Sequence, residues 1–174
     1  MSIVDFAALP DHARVWIFGA DHPLTDVQTG ALYRRLNPFI AQWTAHSAKL
    51  ASGYALWFDR FLVIAVDEGL ALASGCSLDA LTREIRALEE ETETGWLDGT
   101  RIWYRDSEGE IECVNRTELK RLAAEDRVSH DTIFFDHTVR TLGELRTERF
   151  EVPARDSWHS RLLPRASAEP GRPG

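Results

Sequence analysis

Phe61-Leu62-Val63-Ile64-Ala65-Val66 is apolar at every position. A run this short and this uniform reads as a strand covered on both faces rather than as one face of a helix. It follows Tyr54-Ala55-Leu56-Trp57-Phe58 across only Asp59 and Arg60, so the two runs read as a β-hairpin. A second two-faced run, Val15-Trp16-Ile17-Phe18, ends at Gly19. Val15 and Ile17 point one way, Trp16 and Phe18 the other. Whatever fold contains these strands has to cover both sides of their sheet.

Two helices are predicted around the hairpin. Thr25 and Gln28 have capping-box spacing, and Leu32, Leu36, Phe39, Ile40 and Trp43 then share one helical face. Pro38 either kinks this helix or starts a new one with Asn37 as its cap. Ser77 is the expected N-cap of the second helix, whose apolar face is Leu78, Leu81, Ile85 and Leu88. Glu89, Glu90, Glu91 and Glu93 at its far end read as a solvated terminus. Ile102-Trp103-Tyr104 and Ile111–Val114 flank a turn rich in Ser107 and Gly109, which predicts a second hairpin. A short helix over Thr117–Ala124 and a strand over Thr132–Phe135 follow, and Gly143 leaves 138–149 ambiguous.

The order through Tyr104 is strand, helix, strand, strand, helix, strand. It predicts an α+β fold with a ferredoxin-like split βαβ core (βαββαβ) and an additional hairpin. In that topology the strands at 15–18 and 61–66 are central, which suits their composition. Two helices cover one sheet face only. The C-terminal segment 116–163, with Phe134, Phe135, Phe150 and Trp158, is expected to cover the other; failing that, a partner subunit does. The chain is thus expected to be a monomer or a homodimer. The length of 174 residues predicts a single domain over 1–163, with the Pro-, Gly-, Ala- and Arg-rich 164–174 as a disordered tail.

Composition excludes several functions. Twenty Lys+Arg against 28 Asp+Glu leave a net charge of −8, which argues against nonspecific nucleic-acid binding. No apolar run is long enough to span a bilayer, and no signal-peptide pattern opens the chain. Cys76 and Cys113 cannot form a disulfide framework, so a reducing cytoplasm is the expected setting. The only lysines, Lys49 and Lys120, follow no Gly-x-x-x-x-Gly stretch, and no Gly-x-Gly-x-x-Gly follows a strand. A P-loop and a dinucleotide site are therefore missing, and no cofactor is predicted.

One candidate site emerges from the topology. A split βαβ fold brings the end of the third strand, the start of the second helix and the end of the first helix to one edge. His46, Asp67, Glu68, Cys76 and Asp79 are expected there. The intervening Ala73-Ser74-Gly75-Cys76-Ser77 is rich in small residues, and free N–H groups at a helix start can hold an anion or favour a thiolate. Each residue also has a structural reading. Cys76 is equally a small core hydrophobe, His46 a helix C-terminal residue complementing the dipole, and Asp67-Glu68 a solvated turn. Arg83 follows Cys76 one residue too late for a Cys-x5-Arg phosphatase loop, and the histidines and cysteines lack the paired short spacing of a zinc site. Asp136-His137 and Trp158-His159 are expected to dock the C-terminal segment through aromatic bodies with polar tips.

The segments Trp43-Thr44-Ala45-His46, Asp67-Glu68, Ala73–Asp79 and Ser157-Trp158-His159 resemble those of a small, uncharacterised bacterial family that carries the label "ABC transporter ATPase". The resemblance spans most of residues 14–163 and implies no catalytic residues. The label itself conflicts with the missing P-loop, and Ser74-Gly75-Cys76-Ser77 is too short and too different for an ABC signature. Two functions are carried forward. The first is a non-catalytic cytoplasmic domain binding a small ligand or a protein partner, supported by analogy with ferredoxin-like scaffolds and by six tryptophans. Glu68, Ser74, Gly75, Ser77 and Asp79 would contact the ligand. The second is a thiol-dependent enzyme in which His46 activates Cys76 and Asp67 or Asp79 orients the imidazole.

Overall fold

A computed structural model describes residues 6–69 and 71–164. All of the expected tail except Pro164 lies outside the described residues. The fold is α+β, and the chain divides into two compact units. The first is Met1–Gly99 with His137–Phe150; the second is Thr100–Asp136 with Glu151–Gly174. The single domain expected over 1–163 is thus distributed over both. Among the described residues no helix is long and apolar enough to cross a membrane.

The first unit is built on a three-stranded antiparallel sheet and two long helices. Its strands are β1 (Arg14–Gly19), β4 (Ala51–Trp57) and β5 (Phe61–Asp67), in the order β1-β5-β4. The helix α1 (Asp26–Gln42) joins β1 to a small hairpin, β2 (Thr44–Ala45) with β3 (Ala48–Lys49), which leads into β4; α2 (Gly75–Thr92) follows β5. Thr25 and Gln28 form the capping box expected from their spacing. Pro38 lies inside α1 and does not divide it. The start of α2 differs from expectation. Ser74, not Ser77, is the N-cap, and its hydroxyl accepts the Ser77 N–H.

β5 is the centre of the sheet, and its first six residues are fully buried. Leu62, Ile64 and Val66 face Leu32, Leu36 and Ile40 of α1 and Leu81, Ile85 and Leu88 of α2. Burying each such side chain contributes about 1.5–3 kcal/mol. The alternate residues Phe61, Val63 and Ala65 point to the other face. There the Phe61 ring meets His137 (centroids 5.5 Å) and Phe150 (5.1 Å), so the returning segment 137–150 covers the face away from the helices. This is the cover expected of the C-terminal segment, restricted to its middle. Within it lies α4 (Leu142–Arg146), a five-residue helix closed by a Thr141/Glu144 capping box.

The ferredoxin-like closure is corrected. β1 pairs with β5 in the expected antiparallel sense, and Trp57 sits on the neighbouring strand, but β1 is at the edge of the ladder. A fourth strand has no room there. Val15 N–H donates to Arg140 O (2.9 Å), and Leu142 N–H donates to Ala13 O (2.9 Å), so the segment 140–142 occupies that edge. Only the βαββα portion of the expected order is present. The strand expected to complete it, β6 (Ile102–Arg105), lies in the other sheet.

In the second unit β6 pairs with β7 (Ile111–Val114) and with β8 (Ile133–Phe135), which pairs with β9 (Glu151–Pro153), giving the order β7-β6-β8-β9. The predicted 102–104/111–114 hairpin is therefore present. α3 (Arg116–Ala124), capped by Asn115, packs Leu119 and Leu122 against a core that includes Tyr104, Phe134, Ala154 and Leu163. The Trp158-His159 pair belongs to this unit, where His159 stacks on Phe134.

Candidate functional site

In the first unit α1 stops at Gln42 because Trp43 turns to extended backbone (φ −66, ψ 125). Trp43 is buried, and its indole N–H donates to the Ser77 carbonyl (2.9 Å), tying the end of α1 to the first turn of α2. Its ring meets Phe39 (5.3 Å) and Trp16 (6.5 Å). The chain then makes the β2–β3 hairpin, whose two loop residues are His46 (φ 49) and Ser47 (φ 68). Positive φ at both positions is the type I′ geometry that matches strand twist. His46 is therefore a hairpin-tip residue, not the helix C-terminal residue expected from the sequence, because Trp43 ends α1 three positions earlier.

At α2 the Ser74 hydroxyl accepts the Ser77 N–H (3.2 Å), and the Ser77 hydroxyl donates back to the Ser74 carbonyl (2.8 Å). Gly75 and Cys76 open the helix, with Cys76 exposed. A structural role for Cys76 as a buried hydrophobe is thereby excluded.

These elements border an open cleft of about 620 Å³. Pro38, Phe39 and Gln42 of α1 form one wall, Thr44 and His46 a second, and Ser74, Cys76, Ser77 and Ala80 of α2 a third. Arg35 and Glu84 close the rim as an ion pair (3.3 Å), and Arg35 also reaches Glu91 (3.1 Å). A pocket of this size with an apolar wall and a few converging polar groups is the usual form of a small-molecule site.

His46, Ser74, Cys76 and Ser77 are thus brought together as expected, whereas Asp67, Glu68, Gly75 and Asp79 do not line the cleft. Asp67 accepts the Gly69 N–H (2.9 Å) and is 2.9 Å from His12 Nε2. The Gly69 N–H first, and His12 second, hold its carboxyl below the usual range. Glu68 accepts the Ala73 N–H (3.1 Å) and faces Arg14 (3.6 Å). Both carboxylates fasten the loop that follows β5, so neither is available to orient His46. Among the described residues no hydrogen bond joins the Cys76 thiol to the His46 imidazole, and no cluster of His, Cys, Asp and Glu could hold a metal ion.

The sequence reading missed the contribution of α1. Arg35, Pro38, Phe39 and Gln42 lie at i, i+3, i+4 and i+7, the spacing of a single helical face. That signal was present, but Pro38 obscured it. The tryptophans also differ from what an interface requires: Trp43, Trp96 and Trp103 are buried, and Trp16, Trp57 and Trp158 are half-buried.

A second cleft, of about 650 Å³, lies in the second unit between the 106–109 turn and the 127–133 loop. Its polar groups serve the backbone and one another. Asp106 accepts the Glu108 and Glu110 N–H groups, and Asp131 pairs with Arg155. Comparison with known proteins finds no family model, curated protein or solved structure that matches this chain.

Proposed function

We propose that the first unit is a non-catalytic binding module that takes a small ligand in the cleft between α1, the β2–β3 hairpin and the start of α2. The observation that carries this reading is the lining itself. Phe39 and Pro38 offer an apolar wall, opposite the uncommitted side chains of His46 and Cys76. Two free thiols, Cys76 and Cys113, support the cytoplasm as the working compartment.

Native mass spectrometry of the purified protein tests this directly. A retained small molecule is expected, and Ala80→Trp, which fills the cleft with an indole, should lose it. A fragment screen by NMR, read at the Trp43 indole and the 44–46 amides, covers a ligand lost in purification. Retention of the ligand by Ala80→Trp, or no adduct together with no fragment shift at those groups, would count against the reading.

Thiol chemistry is the second reading, favoured by one observation: an exposed Cys76 shares the cleft with His46. It requires the hairpin tip to bring the imidazole onto the sulfur when substrate binds. Iodoacetamide alkylation between about pH 6 and 9 separates the two. Faster reaction than a free thiol, lost in His46→Ala, would favour the enzyme; a free-thiol profile leaves the binding module.

A further inference from the structure

Trp158–Leu162 is a short 3-10 segment of the second unit, and its anchor is an unusual one. His159 is 1% exposed. Its ring is stacked on Phe134 of β8 (centroids 4.7 Å, planes 25° apart) and on Trp158 (4.1 Å, 29°). Tyr104 extends the column beyond Phe134 (5.8 Å). Nδ1 of His159 is 2.8 Å from the Ser157 hydroxyl oxygen. Leu162 and Leu163 carry the segment onward into the core with Leu119 and Leu122.

A dry aromatic slot accepts a neutral imidazole and opposes a charged one. Burial pushes the His159 imidazole down to about 4, with Asp136 acting in the opposite direction. A second imidazole lies beside the strap: His130 Nε2 is 2.8 Å from the Pro164 carbonyl, just beyond Leu163. The remaining charged groups on the surrounding elements are directed elsewhere. On α3, Arg116 and Lys120 are exposed, and Arg121 is engaged by Glu118 and Glu125. Arg155 pairs with Asp131 and Asp156, and Arg161 is exposed. Tyr104 is pushed up by burial and stays neutral.

We propose that Trp158–Leu162 is an acid-released strap, closed over the second unit's core while His159 is neutral and opened when that ring takes up a proton. In the open segment the imidazole is solvated and titrates near its ordinary value of about 6.5. Closure is therefore fully favoured above that value and weakens as pH falls towards the lower, closed-state value. Between pH 7.5 and 5 the opening equilibrium should rise by about 30-fold.

Amide hydrogen exchange on the full chain reads this out, after correction for intrinsic rates. The amides of 157–163 are expected to lose protection about 30-fold at pH 5 relative to pH 7.5, while those of β5 hold. His159→Gln, which cannot titrate, should show no such change. A rise below about threefold, or an equal rise in His159→Gln, would overturn the proposal. Should that variant fail to fold, the imidazole resonances of the unaltered protein decide. A ring still neutral at pH 5 while the strap is protected supports the proposal; a ring protonated near pH 6 with protection intact overturns it.

Discussion

The two units reach a closed core by different means. The first uses long elements: helices of 17 and 18 residues over a seven-residue central strand, packed through aliphatic side chains on the helix side of the sheet and through rings on the other. The second uses strands of three or four residues and a nine-residue helix, and its core contains a column of rings, Tyr104, Phe134, His159 and Trp158. Long elements repeat their period often enough to declare themselves, and their packing spreads over many modest contacts. Short elements concentrate their stability in a few large side chains. The first unit should therefore tolerate single truncations better than the second.

The sharpest way to break this contrast is to remove one ring. Phe134→Ala strips the middle of the aromatic column and is expected to cost about 4–5 kcal/mol in urea unfolding. Ile64→Ala, equally buried in the first unit, should cost less, about 3 kcal/mol. The reverse ranking would mean that the column is not the second unit's main support.

Helix ends provide a smaller test. Thr25→Ala removes the capping box of α1 and should lower stability by about 1 kcal/mol. The hairpin tip offers an opposite sign. Ser47→Gly relieves a left-handed residue and should raise stability by about 0.5–1 kcal/mol by the same measurement. If the tip is held open for a ligand, this gain would come with weaker occupancy of the cleft in native mass spectra.

The smallest effect is expected in acid. Asp67 has its carboxyl held below the unfolded value of 3.8, chiefly by the Gly69 N–H. The stability it contributes is present above that value and is lost as pH falls through the lower folded one. Asp67→Asn should therefore destabilise the protein at neutral pH, and the gap from the unaltered protein should close below about pH 4. Circular dichroism along an acid titration measures it. A gap that persists at pH 2 would assign the residue's role to shape rather than charge.

The contrast between the units also explains what the sequence could tell. The run 61–66, the face of Leu32, Leu36 and Ile40, and the Thr25/Gln28 box are local patterns, and each folds as read. The fate of Ile102–Tyr104 is not local. As a strand it is correct, but its partners depend on Arg140–Leu142 occupying the β1 edge, a contact between residues far apart in the chain. For the site, topology placed His46 and Cys76 at one edge, and both line the cleft, His46 from the hairpin tip rather than from the end of α1. It misassigned Asp67 and Glu68 because carboxylates after a strand look the same whether they face a cleft or fasten their own loop. The Ser74 cap was hidden by Ser77, an equally good capping residue three positions on.

The chain passes between the units at Gly99–Thr100, Asp136–His137 and Phe150–Glu151. This threading sets a timetable for synthesis. When residue 99 has left the ribosome, every strand of the first sheet is available, yet the rings of His137 and Phe150 that sit on Phe61 have not emerged. For the next fifty or so residues of translation the nascent chain carries a sheet with one face uncovered. A polypeptide halted in that interval would present an apolar surface to its neighbours, and chaperone engagement during elongation is most useful to this protein there.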